Sequence, residues 1–166
     1  MAEIWDAYDK NFNKINNVTL VRGEPIPDGI FQLVCEIIVK HIDGSYLLMQ
    51  RDLRKHLGGK WELTAGGSAL KDETPLECAI RELHEETGIK IDNLLEIQRI
   101  VHKNHQSLYV EYLCITDLDK DAIVLQDGET IAYKWVDEHS LLEMDVSSLA
   151  SSRTLAWVKQ LALSNQ

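Results

Sequence analysis

Residues 67–89 read GSALKDETPLECAIRELHEETGI. Thr74 precedes Pro75, and Glu77 follows three residues after the threonine. That is an N-cap, a proline at the first helical position and a capping-box acid. Gly88 closes the run in the left-handed conformation that glycine tolerates. The spacing predicts a helix over 75–87 with Leu76, Ala79, Ile80 and Leu83 on the side facing a sheet. Glu82, Glu85 and Glu86 share another side across one turn. Three carboxylates within roughly 5 Å repel by about 3 kcal/mol per pair at an effective dielectric near 20. Their position near the helix C-terminus adds an unfavourable dipole. A divalent cation removes both penalties, and oxygen donors suit Mg2+, with Mn2+ as a substitute. A solvated acidic helix end is the plain alternative.

The flanks of this helix read mostly as strands. Residues 31–40 are rich in β-branched side chains, Asp43-Gly44 marks a turn, and residues 45–51 return as a second strand of a hairpin. A basic loop, 51–60, leads to a short strand over 61–65. Further strands are expected at 94–101, 108–116 and 131–136, then helices at 138–143 and 147–162. Near the N-terminus, residues 4–8 and 18–22 form a second hairpin, and Pro25-Ile26-Pro27 with Asp28-Gly29 is a rigid connector. Strands in clusters with helices interspersed favour an α+β fold with a mixed sheet. The organisation is a single domain over 1–166 with an N-terminal β-hairpin extension of about 29 residues.

The stretch 67–89 resembles the Nudix box: Gly, five residues, Glu, seven residues, Arg-Glu-aliphatic, one residue, Glu-Glu, one residue, Gly-aliphatic. Every fixed position is filled, by Gly67, Glu73, Arg81, Glu82, Leu83, Glu85, Glu86, Gly88 and Ile89. The resemblance implies a Nudix α/β/α sandwich with a mixed central sheet. It also implies hydrolysis of a nucleoside diphosphate linked to another moiety, or of a related small organic diphosphate. By the same resemblance Glu82, Glu85 and Glu86 hold the divalent ions, with the Gly67 carbonyl near the metal. Glu82 helps deprotonate the attacking water, and Arg81 pairs with Glu73 to hold loop against helix. Some family members carry an extra carboxylate in the loop before the last strand. Glu129 fits that place better than Glu111.

Residues 4–11, IWDAYDKN, look like the branch that includes isopentenyl diphosphate isomerase, which makes an isomerase the first alternative. Such isomerases use histidine metal ligands and a cysteine just before the box. Here that place is Thr64-Ala65-Gly66-Gly67, and the Glu85–Glu86 pair is complete. The second alternative is a nucleotide-binding sensor without turnover.

The chain carries 17 Lys plus Arg against 27 Asp plus Glu, a net charge of −10. That balance repels long nucleic acids and anionic membranes. The basic loop departs from it, with Arg51, Arg54, Lys55 and Lys60 against Asp52 alone. Arg51 and Arg54 are therefore candidates to bind substrate phosphates, with Arg51 the better placed. A solvated loop is the alternative. His102 and His105, three apart at a strand end, are expected to point in different directions. Tyr109, Tyr133 and the tryptophans at 61, 135 and 157 are core residues or base-stacking candidates. Cys35, Cys78 and Cys114 match no zinc or disulfide pattern and read as small packing residues. The N-terminus has no basic-then-apolar leader. The expectation is a cytoplasmic enzyme acting on a small phosphorylated substrate, with a homodimer through the hairpin left open.

Overall fold

The computed structural model describes residues 1–164. Strands β1 (Ile4–Tyr8) and β2 (Lys14–Val21) form a two-stranded antiparallel sheet. The main sheet contains β3 (Gln32–His41), β4 (Tyr46–Arg51), β5 (Trp61–Leu63), β6 (Ala65–Ser68), β7 (Leu95–His102), β8 (Ser107–Thr116) and β9 (Thr130–Val136). It is mixed. β3 runs parallel to β8 and antiparallel to β6, while β4 runs antiparallel to both β5 and β9. Helix α1 (Pro75–Thr87) covers one face, and α2 (Glu138–Leu142) with α3 (Arg153–Ser164) covers the other. This is the sandwich expected from the sequence.

Alternation along β3 assigns the two faces. Cys35, Ile37 and Val39 pack with Ala79 and Leu83 of α1, whereas Ile38 packs with Leu155 and Val158 of α3. On β8, Val110, Tyr112 and Cys114 join the first cluster and Leu113 the second. Glu36 and Glu111 are register partners, and by the same alternation they share the α3 face.

Helix α1 has the predicted bounds and caps. Thr74 accepts the Glu77 N–H, and Gly88 adopts φ 78°. Its buried side differs from the expected one. Cys78, Ala79, Leu83, Glu86 and Thr87 are inside, while Leu76 is exposed and Ile80 half-buried. The helix is rotated so that the small Cys78 and the carboxylate Glu86 approach the sheet. All three cysteines are buried and free. Helix α3 begins at Arg153 rather than at 147, because a 3-10 turn at Val146–Ser148 and the segment after it intervene.

The β3–β4 hairpin also departs from expectation. Its strands pair only at Lys40 and Tyr46 and then splay. Thr64 fills the fork. Its hydroxyl accepts the Val39 N–H at 3.0 Å and donates to the Leu47 carbonyl at 2.8 Å. It is wholly buried, with φ at 64°, a costly conformation for a β-branched residue. The short strand expected over 61–65 is thereby broken into β5 and β6. The splayed strands let β6, entering the box, lie against β3.

The N-terminal hairpin is anchored to the loop before α1. Lys71 N–H donates to the Ile4 carbonyl at 2.9 Å, and Asp72 N–H donates to the buried Asp6 carboxylate at 2.7 Å. Leu70 joins the small core of Trp5, Ala7 and Leu20. Among the described residues no helix is long and apolar enough to cross a membrane.

Replacing Thr64 with valine leaves the shape and orphans two buried backbone groups. Thr64→Val is expected to lower stability by about 2 kcal/mol in chemical denaturation, while Thr64→Ser stays within about 1 kcal/mol of the parent.

Candidate active site

The loop 68–73 and helix α1 are joined by one guanidinium. Arg81 grips Glu73 with two parallel bonds of 2.7 and 3.0 Å and donates to the Ser68 carbonyl at 3.2 Å. Its remaining nitrogen reaches Glu82 at 2.8 Å and Glu85 at 3.2 Å. Glu73 also accepts the Leu70 N–H at 3.1 Å. Gly67 lies directly beneath Glu82. A Cβ there would fall 2.3 Å from a Glu82 carboxylate oxygen and would push that carboxylate aside. The Gly67 carbonyl accepts a weak bond from the Cys78 thiol at 3.5 Å. Hydrogen bonding with Cys35, followed by burial, raises the Cys78 pKa and keeps that thiol protonated. At the helix end, a side chain on Gly88 would press on Val124.

The three carboxylates of the turn differ sharply in exposure. Glu85 is exposed, Glu82 half-buried, and Glu86 only 5% exposed. Burial pushes Glu82 up to about 7 despite Arg81 beside it. Burial also raises Glu86 well above its ordinary value, with Glu82, Glu62 and Glu129 adding repulsion against Lys55. Among the described residues no three histidine, cysteine or acidic side chains stand preformed around a single point. The donor set nevertheless fits a hard divalent cation. Glu82, Glu85, Glu86 and the Gly67 backbone line one cleft, and the repulsion at Glu86 calls for positive charge.

Two clefts meet at Glu86. One is lined by Gly67, Arg81, Glu82, Glu85, Gln126 and Glu129, with Glu3, Trp5 and Arg22 of the N-terminal hairpin at its side. The other, of about 310 Å³, runs past Arg51, Lys55, Glu62 and Leu57 to Glu36, Tyr109 and Arg153. Lys55 lines both and is ion-paired with Glu129.

The basic loop is less free than its composition implied. Arg51 lines the cleft but pairs with Glu62 and donates to the His56 carbonyl at 2.9 Å. Arg54 turns away, forked onto Asp52 at 2.7 and 2.8 Å and close to Asp127. The structure thus brings Arg51 to the cleft and leaves Arg54 outside its lining. Glu129 reaches the cleft, whereas Glu111 is fully buried in the sheet. His102 and His105 do not diverge. The turn that follows β7 brings their rings to 4.4 Å.

Arg153, Glu36 and Lys55 carry no motif. Arg153 is ion-paired with Glu36, 117 positions away. Glu36 Oε2 and Glu111 Oε1 are both buried with no partner donor. Burial pushes Glu36 up to about 7, opposed by Arg153 and reinforced by Glu111.

A family model, the NUDIX domain, matches residues 33–158. The chain belongs to the Nudix family. An uncharacterised Nudix hydrolase of Listeria innocua is 32% identical over 142 residues, covering 84% of this chain and 82% of that protein. An 8-oxo-dGTP diphosphatase of Proteus vulgaris is 34% identical over 70 residues, covering 42% of this chain and 57% of that one. The crystal structure of DR0079 from Deinococcus radiodurans superposes with a TM-score of 0.76 at 16% identity, covering 95% of this chain and 98% of that one. With the Nudix family comes the enzyme class, a pyrophosphohydrolase.

The carboxyl pair sets a pH signature. Between about pH 4.5 and 7 the folded chain keeps a proton that the unfolded chain has released, so this pair costs stability as pH rises through that window. Glu111→Gln supplies a fixed donor in place of the proton. In melts across pH 5 to 8 it is expected to match the parent at pH 5 and exceed it by about 2 kcal/mol at pH 8.

Proposed function

We propose that this Nudix hydrolase cleaves the diphosphate bond of a nucleoside diphosphate linked to another moiety, with Mg2+ as its cofactor. The observation that carries the reading is the convergence of the acidic turn of α1, the Gly67 backbone and two loop cations on clefts that meet at Glu86. Glu82, Glu85, Glu86 and the Gly67 carbonyl would hold the metal. When bound, the ion neutralises phosphate charge and acidifies water.

The remaining work falls to the chain's own residues. Arg81 fixes Glu82 and Glu85 relative to the glycine loop, which makes it a positioning residue. Lys55 and Arg51 face the diphosphate from the opposite wall, and each releases part of its ion pair to do so. A water oxygen attacks phosphorus, the P–O bond to the bridging oxygen breaks, and the departing phosphate keeps that electron pair. The water proton passes to the Glu82 carboxylate. Glu129, tethered by Lys55, stands ready as a second acceptor. The complete Glu85–Glu86 pair and the absence of cysteine or histidine at residues 64–67 disfavour the isomerase. The Proteus vulgaris relative, a diphosphatase by name, supports turnover over sensing alone.

Chromatographic detection of the nucleoside monophosphate formed from a panel of nucleotide sugars, dinucleotides and nucleoside triphosphates, with and without Mg2+, tests the reading. Glu86→Gln is expected to lower kcat at least a hundredfold while the far-UV circular dichroism is retained. Activity at the parent level would remove Glu86 from the metal site.

Metal binding requires ionised carboxylates, and Glu82 and Glu86 both hold protons more tightly than free glutamate. Mg2+ is therefore expected to raise Tm more at pH 8 than at pH 5. That shift disappears in Glu86→Gln.

A further inference from the structure

The part of the Arg51 cleft around Arg153 is built differently from the part at Glu86. The Arg153 guanidinium lies 4.0 Å from the Tyr109 ring centroid. Glu36, half-buried at the cleft wall, holds Arg153 from the side. The guanidinium is thus fixed in orientation, and its charge is already balanced. Its side chain still keeps 28% of its exposure, and both Arg153 and Tyr109 line the cleft. Val34, Leu57 and Leu63 add apolar surface there. A compensated, planar cation with apolar neighbours suits a flat neutral group better than a phosphate, because guanidinium and aromatic faces both stack on π-systems. The unmet need for a positive partner lies elsewhere in the cleft, at Glu86, where a diphosphate carried by a cation belongs.

We propose that Tyr109 and Arg153 form a stacking platform for the nucleobase of the substrate, which directs the diphosphate toward Glu86. This rests on the reading of the chain as a nucleoside diphosphate hydrolase and narrows it to substrates carrying a planar heterocycle. Glu36 is the positioning residue of the platform, since it touches Arg153 and sets its plane.

The test is ligand-observed NMR with the four nucleoside monophosphates and the full chain in EDTA, where no turnover occurs. Saturation is expected to pass to the base protons of at least one nucleotide more strongly than to its ribose protons. Arg153→Lys keeps the charge toward Glu36 but loses the planar face, and is expected to weaken binding at least tenfold. Tyr109→Leu is expected to do the same, while Tyr109→Phe keeps the ring and retains binding. The Tyr109 pair decides the matter if Arg153→Lys does not fold, judged by its melting curve. No transfer to any base in the parent, or equal binding in folded Arg153→Lys and Tyr109→Leu, overturns the platform. The hydrolysis panel separates the two readings. Hydrolysis with unchanged base binding in the variants overturns the platform alone. Base binding through Arg153 without cleavage of any diphosphate overturns the hydrolase reading.

Discussion

The grip of Arg81 on Glu73 holds the site together. A bidentate guanidinium–carboxylate pair is directional as well as strong. Here it joins a glycine-containing loop to a helix, and the same guanidinium also touches Ser68, Glu82 and Glu85. Without it three carboxylates would crowd one helical turn with no cation among them. With it Glu82 and Glu85 are tethered, and Glu86 is left as the buried, uncompensated member. The order of exposure along the turn, from Glu85 through Glu82 to Glu86, is an order of increasing need for a positive partner.

Local signals in the sequence were sufficient for local structure. The capping box, Pro75 and Gly88 act within a few residues, so α1 has the bounds that they imply. The rotation of that helix was not legible, because the burial of Cys78 and Glu86 is decided by β3, β6 and the loop cations. The forked hairpin was hidden for a similar reason. Asp43-Gly44 does specify a turn, but Thr64, well beyond it in the chain, determines where pairing stops. In the site, the motif located the acids and missed most of their partners. Glu62, Asp127 and Glu129 neutralise the basic loop from other elements. The Glu36–Arg153 pair spans nearly the whole family match.

These pairings also alter the meaning of the −10 charge. The net figure is consistent with exclusion of long polyanions, yet it says little about the cleft. There, cations are held by acids in exchangeable pairs, and Glu36 holds its proton more tightly than a free glutamate. Local charge at the site is a matter of which partner each group has, and a phosphorylated ligand competes for partners instead of filling an empty positive patch.

The hairpin anchored to residues 70–72 has a consequence for what counts as the minimal protein. The family match begins at residue 33, and a fragment cut there would retain every carboxylate of the box. It would lose Ile4 and Asp6, which receive the Lys71 and Asp72 amides. The span that the family model matches and the span that these hydrogen bonds tie together are therefore different lengths of chain. Residues before the matched segment act as an internal brace for it, and the hairpin, made ahead of the box, meets its partners at 70–72 only once that loop has been made.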